Sequence, residues 1–289
     1  MEWEESRPDG GGVVATVAVM RWGLSLSLSE ELAEPAVVAE VAAAAEASGW
    51  DGVFVWDHLW NRTGAPFADP WVTLAAIAGG TQRVTIGTMV TALPRRRTQL
   101  VAQATSTLDR LSRGRMVLGL GLGVDSHGEY SAFDEPAATD RDRAAALDRG
   151  IEALVPMLAG AAVPQAGDRV TTAPCVQRPR CPIWIAGRAD GTAGPRRVAR
   201  HHLEGLALVS TDGWMPDHVT GALAASGLTA GDLDVALVGG THHDPSGLAA
   251  AGTTWCVPEI GPGATAAEAL AVAARAPDDA APHREGSGR

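Results

Sequence analysis

Apolar and polar positions along this chain change period repeatedly. A short, continuously apolar or β-branched run is followed each time by an Ala-rich stretch with apolar residues at i, i+3 and i+4. Strands are predicted at 20–26, 52–57, 83–90, 115–121, 182–187, 205–210, 233–240 and 253–258. Helices are predicted at 30–48, 69–79, 98–111, 140–158, 195–202, 213–226, 245–251 and 264–274. The first helix carries Leu32, Val37, Val41, Ala44 and Ala45 on one face, and Gly49 stops it. Asp69 before Pro70 is a good cap and first-turn pair for the second. Strands apolar on both faces are covered on both sides. Eight alternating β/α units therefore predict a single (β/α)8 TIM barrel over about 20–275. A doubly wound sheet is the competitor, but its dinucleotide motif belongs after the first strand.

The ends differ from this pattern. A disordered arm is expected over 1–19, where the first twelve residues are charged and Gly-rich, and a flexible tail over 276–289. The longest apolar run, Val13–Met20, is eight residues, far short of a membrane span, and an acidic stretch precedes it. The chain has 289 residues, is 46% hydrophobic and carries a net charge of −11. That composition supplies a substantial core and repels nucleic acid and anionic lipid. All 23 basic residues are arginine, so Schiff-base chemistry and the lysine of a P-loop are excluded. Cys175, Cys181 and Cys256 show no C-x-x-C spacing, which argues against a disulfide framework or structural zinc and for a cytoplasmic location.

Candidate chemistry clusters at predicted strand ends. Gly119, Gly121 and Gly123 close the fourth strand with G-x-G-x-G, not a dinucleotide fingerprint. They read either as a strand end stripped so that a flat ligand lies on the backbone, or as tight packing at the barrel mouth. WDHLW at 56–60 ends the second strand, the end that faces a barrel's active site. Asp57 and His58 there can position and protonate a substrate, or be a cap and an incidental loop histidine. The pairs His201–His202 and His242–His243 lack a third ligand at a sensible offset and read as solvated, so no metal is expected. The arginines of 94–97 and 194–197 default to surface ion pairs. Arg188, directly after the fifth strand, can hold a phosphate together with backbone N–H groups. No G-x-S-x-G elbow is present.

Six stretches in order, at 46–59, 68–97, 108–123, 133–154, 176–188 and 196–206, together resemble the bacterial luciferase-like family of flavin- and F420-dependent oxidoreductases. The resemblance implies a TIM barrel binding reduced FMN or coenzyme F420 over its C-terminal mouth. It also implies a small organic substrate, a homodimer through the helices at 70–79 and 98–111 and, for FMN, a separate flavin reductase. Carried over position by position, Asp57 and His58 match an acid and a histidine beside the ring. Met89 and Val90 match a strand-three bulge, often with a non-proline cis peptide, that presses on the ring. Gly121, Leu122 and Gly123 match the strand-four end lining the cofactor, and Ala186, Gly187 and Arg188 match the segment near its phosphate. Trp22, Trp60 and Trp71 suggest an apolar or planar guest.

Two positions depart from the family pattern. Val124 stands where several F420-dependent relatives place an acid, with Asp125 one further on, and the segment 160–182 is short for a lid. An oxidoreductase and a non-catalytic flavin-binding barrel or partner subunit are therefore both open readings, the first favoured by WDHL and the Gly-rich strand end.

Overall fold

The computed structural model describes residues 20–277 except 137, 138, 164–166, 171, 241 and 243. The expected arm at 1–19, most of the expected tail and His243 lie outside the described residues. In chain order the first half comprises β1 (Arg21–Leu26), α1 (Pro35–Ala47), β2 (Gly52–Val55), α2 (Pro70–Gly80), β3 (Thr85–Ala92), α3 (Thr98–Leu111), β4 (Met116–Gly121) and α4 (Asp140–Leu158). The second half comprises β5 (Ala162–Val163), β6 (Arg169–Val170), β7 (Ile183–Arg188), α5 (Ala193–His201), β8 (Gly205–Val209), α6 (Pro216–Ser226), β9 (Asp234–Val238), α7 (Pro245–Ala251), β10 (Trp255–Val257), β11 (Glu259–Ile260) and α8 (Ala266–Ala273).

Strands β1, β2, β3, β4, β7, β8, β9 and β10 pair in that order, all parallel, and β10 returns to β1 through Trp22 and Cys256. That closes an eight-stranded barrel inside its helices, the expected TIM barrel. Departures from the predicted elements have local causes. Pro35 disfavours helix at Glu34, so the predicted helix opens as a separate 3-10 turn, Glu30–Ala33, before α1. Pro258 has no N–H to donate, and the last strand splits there into β10 and β11 while the Pro258 carbonyl still accepts from Ser25 N at 3.0 Å. The short segment after α4 folds a small antiparallel pair, β5–β6, that no sequence period announced. Asp69 caps α2 as expected, accepting from Trp71 N and Val72 N.

The barrel interior is filled by rings. Phe54, Trp184 and Trp255 meet with centroids 5.7–5.8 Å apart. Glycines on neighbouring strands make the room: a Cβ at Gly205 would lie 2.1 Å from Trp184 Cδ1, and one at Gly23 2.7 Å from Phe54 Cε2. Arg21 lies over the Trp255 ring, 4.4 Å from its centroid, and pairs with Asp234. With that interior filled, ligand chemistry is confined to the C-terminal mouth. Among the described residues no helix is long and apolar enough to cross a membrane.

Candidate active site at the barrel mouth

Asp57 and His58 follow β2, but they do not pair with each other. Successive side chains of extended backbone point apart, and the two residues find separate partners. The Asp57 carboxylate is fully buried and takes Arg96 in a two-point grip, Nε at 2.7 Å and Nη2 at 2.6 Å, together with Arg95 Nη2 at 3.0 Å. Arg95 reaches the other way to Glu129, Nη1 to Oε2 at 2.8 Å. Glu129 then accepts from Leu59 N at 2.7 Å and contacts His58 Nδ1 at 3.0 Å. The carboxylate beside His58 is therefore Glu129, not Asp57, and Arg95 and Arg96 are internal clamps instead of surface ion pairs. Burial pushes the Glu129 carboxyl up, but hydrogen bonds from His58 and Leu59 and the nearby Arg95 charge outweigh it and hold Glu129 below the usual range. An ionised carboxylate only accepts, so His58 Nδ1 carries a hydrogen and Nε2 is left for other chemistry.

His58 opens onto a cavity of about 380 Å³ whose walls include Glu30, Trp56, Trp60, Asn61 and Phe67. Trp60 lines this cavity, its Nε1 donating to His127 O at 2.6 Å. Trp22 does not: it is buried in the core, edge-on to His242 at 6.1 Å. Trp71 packs half-buried against the same core from α2. His242 is buried and His201 bridges Asp148 at 3.2 Å, which corrects the solvated reading for both. Arg197 likewise binds Asp148, at 2.6 Å, tying α5 to α4. Among the described residues no three His, Cys, Asp or Glu side chains converge as metal ligands do.

Across the mouth, the peptide Met89–Val90 is cis and the β3–β4 register shifts between Thr88 and Thr91. This bulge lays Val90 over β4. A Cβ at Gly121 would lie 2.7 Å from Val90 Cγ2 and 3.3 Å from Ala186 Cβ, and one at Gly119 2.2 Å from Thr88 O. Those two glycines therefore admit the bulge, the packing alternative of the two readings, while Val90 and Ala186 are the partly exposed surface there. Gly123, at φ +68°, sits against Tyr130, whose hydroxyl donates to Leu122 O at 2.7 Å. Asp125 is spent on the backbone of Tyr130 and Ser131, at 2.8 and 3.1 Å, and holds the turn. Ala186 and Gly187 are half-buried and Arg188 is exposed. Gly194 in the first turn of α5 packs directly on Gly187, where a Cβ would meet its Cα at 2.8 Å. A side-chain-poor shelf, backbone N–H groups at the start of α5 and the exposed Arg188 form a donor set suited to an anionic tail. The mouth fits the flavin-type group that the sequence resemblance implied.

Sequence reasoning missed Glu129, which sits 71 positions from His58 with no local motif, and Glu259. Glu259, on β11, pairs in register with Ser25 of β1, and its carboxylate lies against Gly239. Its side chain is partly exposed, and burial of the rest pushes its carboxyl up to about 7. Between the ordinary 4.5 and about 7 the folded chain holds a proton that the unfolded chain releases, so this group's contribution to stability falls as pH rises through that window. Glu259→Gln should raise the melting temperature by ~1–3 °C at about pH 8 and leave it unchanged near pH 4, a size kept small by solvent screening. Equal shifts in thermal melts at both pH values would remove the desolvated-acid assignment.

A family model described as luciferase-like monooxygenase matches residues 16–278. The chain belongs to the luciferase-like monooxygenase family. It is 35% identical over 179 residues to an F420-dependent glucose-6-phosphate dehydrogenase of Nakamurella multipartita, covering 60% of this chain and 52% of that protein. A Beutenbergia cavernae protein of the same name is 34% identical over 215 residues, covering 70% of this chain and 62% of that protein. The chain thus spans about half to two thirds of the length of these curated relatives. A solved monooxygenase from Streptomyces bottropensis superposes with a TM-score of 0.70 at 18% identity, over 90% of this chain and 98% of that one. That likeness, at such identity, shows the shared barrel fold.

Proposed function

We propose that this chain is an oxidoreductase that uses coenzyme F420 or reduced FMN at the barrel mouth to reduce or oxidise a small organic substrate. The observation that carries this is His58: its Nδ1 hydrogen is fixed on buried Glu129 while the ring lines a ligand-sized cavity. The curated relatives' names favour F420 over FMN. When bound, such a group supplies or accepts the hydride or electron pair. Val90, Leu122 and Ala186 are the surface on which its ring would rest, and Gly187, Arg188 and the first turn of α5 would hold its phosphate. His58 Nε2 would give or take the proton at the substrate's oxygen, and Asp57, closed off by Arg95 and Arg96, would position the loop that carries His58.

Titration of the pure protein with F420, FMN and reduced FMN tests the assignment directly, and no binding of any of them overturns it. Arg188→Ala should weaken cofactor binding about ten- to a hundredfold, the worth of a charge-assisted contact. Unchanged affinity would move the phosphate elsewhere. Should FMN be the group bound, a separate flavin reductase is the partner that reduces it. A homodimer through α2 and α3 is part of the same reading, supported by the exposed Val72, Leu100 and Leu111 on those helices, and a monomer mass in light scattering would remove it. A cytoplasmic setting is supported by three buried free thiols.

A further inference from the structure

We propose that the cavity beside His58 takes a flat, largely apolar organic cation, with Glu30 as its counter-charge, and does not take a sugar phosphate. The proposal names the substrate class of the site above and so rests on that reading. Three rings form the wall, each held in place. Trp56 donates from Nε1 to Ser25 Oγ at 2.8 Å, and Trp60 is fixed by its bond to His127 O and by Phe133 at 5.5 Å. Phe67 stands 5.5 Å from the His58 ring, and isolated bridges Ser29–Phe67 and Trp60–Pro66 tie this loop to the segment after β1 and to itself. Ring faces of this kind attract cations through their quadrupoles.

The one acidic side chain among the lining residues, the exposed Glu30, has the matching sign. Glu30 adopts φ 52°, and its carboxylate accepts from the Asn61 side-chain amide and, at 3.4 Å, from Gly263 N. Each oxygen keeps a further lone pair for a ligand. A phosphate dianion needs converging cations. Among the described wall residues the groups able to carry positive charge are the exposed Arg62 and the imidazoles of His127 and His58, the latter with its Nδ1 hydrogen spent on Glu129, and the chain has no lysine. A sugar phosphate would share the cavity with Glu30 and three apolar ring systems, in a protein of net charge −11. This chain therefore parts at the substrate from the curated relatives named for glucose 6-phosphate.

Calorimetric titration of the full chain with phenethylammonium, with 2-phenylethanol and with glucose 6-phosphate tests this. The cation should bind about tenfold more tightly than the alcohol of nearly the same shape, as a partly desolvated cation over aromatic faces does. Glucose 6-phosphate should bind more weakly than both. Glu30→Gln should remove most of the cation's advantage while leaving the alcohol's affinity in place. Phe67→Leu, which stays apolar and loses the ring, should weaken the cation more than the alcohol, and it provides the test if Glu30→Gln does not fold. Equal affinity of cation and alcohol, or tightest binding by glucose 6-phosphate, overturns the proposal. An F420 titration on the same preparation separates the two readings, because lost cofactor binding counts against the oxidoreductase assignment and leaves the ligand preference standing.

Discussion

Replacing His58 with alanine should lower turnover by about 10²–10⁴-fold and leave cofactor affinity within a few-fold. The split follows from where the contacts lie. The proposed phosphate and ring contacts fall on β3, β4, β7 and the start of α5, whereas His58 faces the cavity from the loop after β2. Its role also depends on Glu129, which fixes the Nδ1 hydrogen and so presents Nε2. Glu129→Gln keeps an acceptor for Nδ1 but loses the charge, so its turnover should fall less than that of His58→Ala and its pH–rate profile should shift. Turnover, cofactor affinity and pH profile on the two variants read this out. Wild-type turnover in His58→Ala would end the assignment of His58 as the proton-transferring group.

Arg95→Ala should cost about 3–5 kcal/mol of folding stability, the range for removing one partner of a buried ion pair. The Arg95 side chain is 6% exposed and lies between the carboxylates of Asp57 and Glu129, which are 0% and 1% exposed. Without it Glu129 keeps only His58 as a charge partner, and desolvation then works against its ionised form. Arg96→Ala should cost less, because that side chain is 25% exposed and Arg95 still neutralises Asp57. Urea denaturation of the two variants measures both losses, and a larger loss for Arg96→Ala would reverse the assigned order.

Legibility varied with the range of the interaction. The helix cap at Asp69 was readable because donors and acceptor lie within three residues. The bulge at Met89–Val90 was readable only through resemblance to a family, since no local period encodes it. Trp22 was misplaced because an aromatic residue at a strand start reads the same whether it turns inward or packs beneath a helix, and its burial against His242 depends on β9 and β10 closing onto β1. The arginines after β3 read as surface charge because the carboxylate they share, Asp57, sits 38 and 39 positions earlier in the chain, after a different strand.

By itself the sequence determined the eight-fold alternation, the closed parallel barrel that alternation demands, and the strand ends that carry Asp57, His58, Val90 and Arg188. These follow from hydrophobic period and backbone chemistry, which act over a few residues. Only the tertiary structure decided that His58 is held by Glu129, that Asp57 is buried under two arginines, and that packing around Glu259 pushes its carboxyl up. Each of those facts joins loops from different strands of the ring, and the electrostatics of a buried group is set by whatever the closed barrel brings against it.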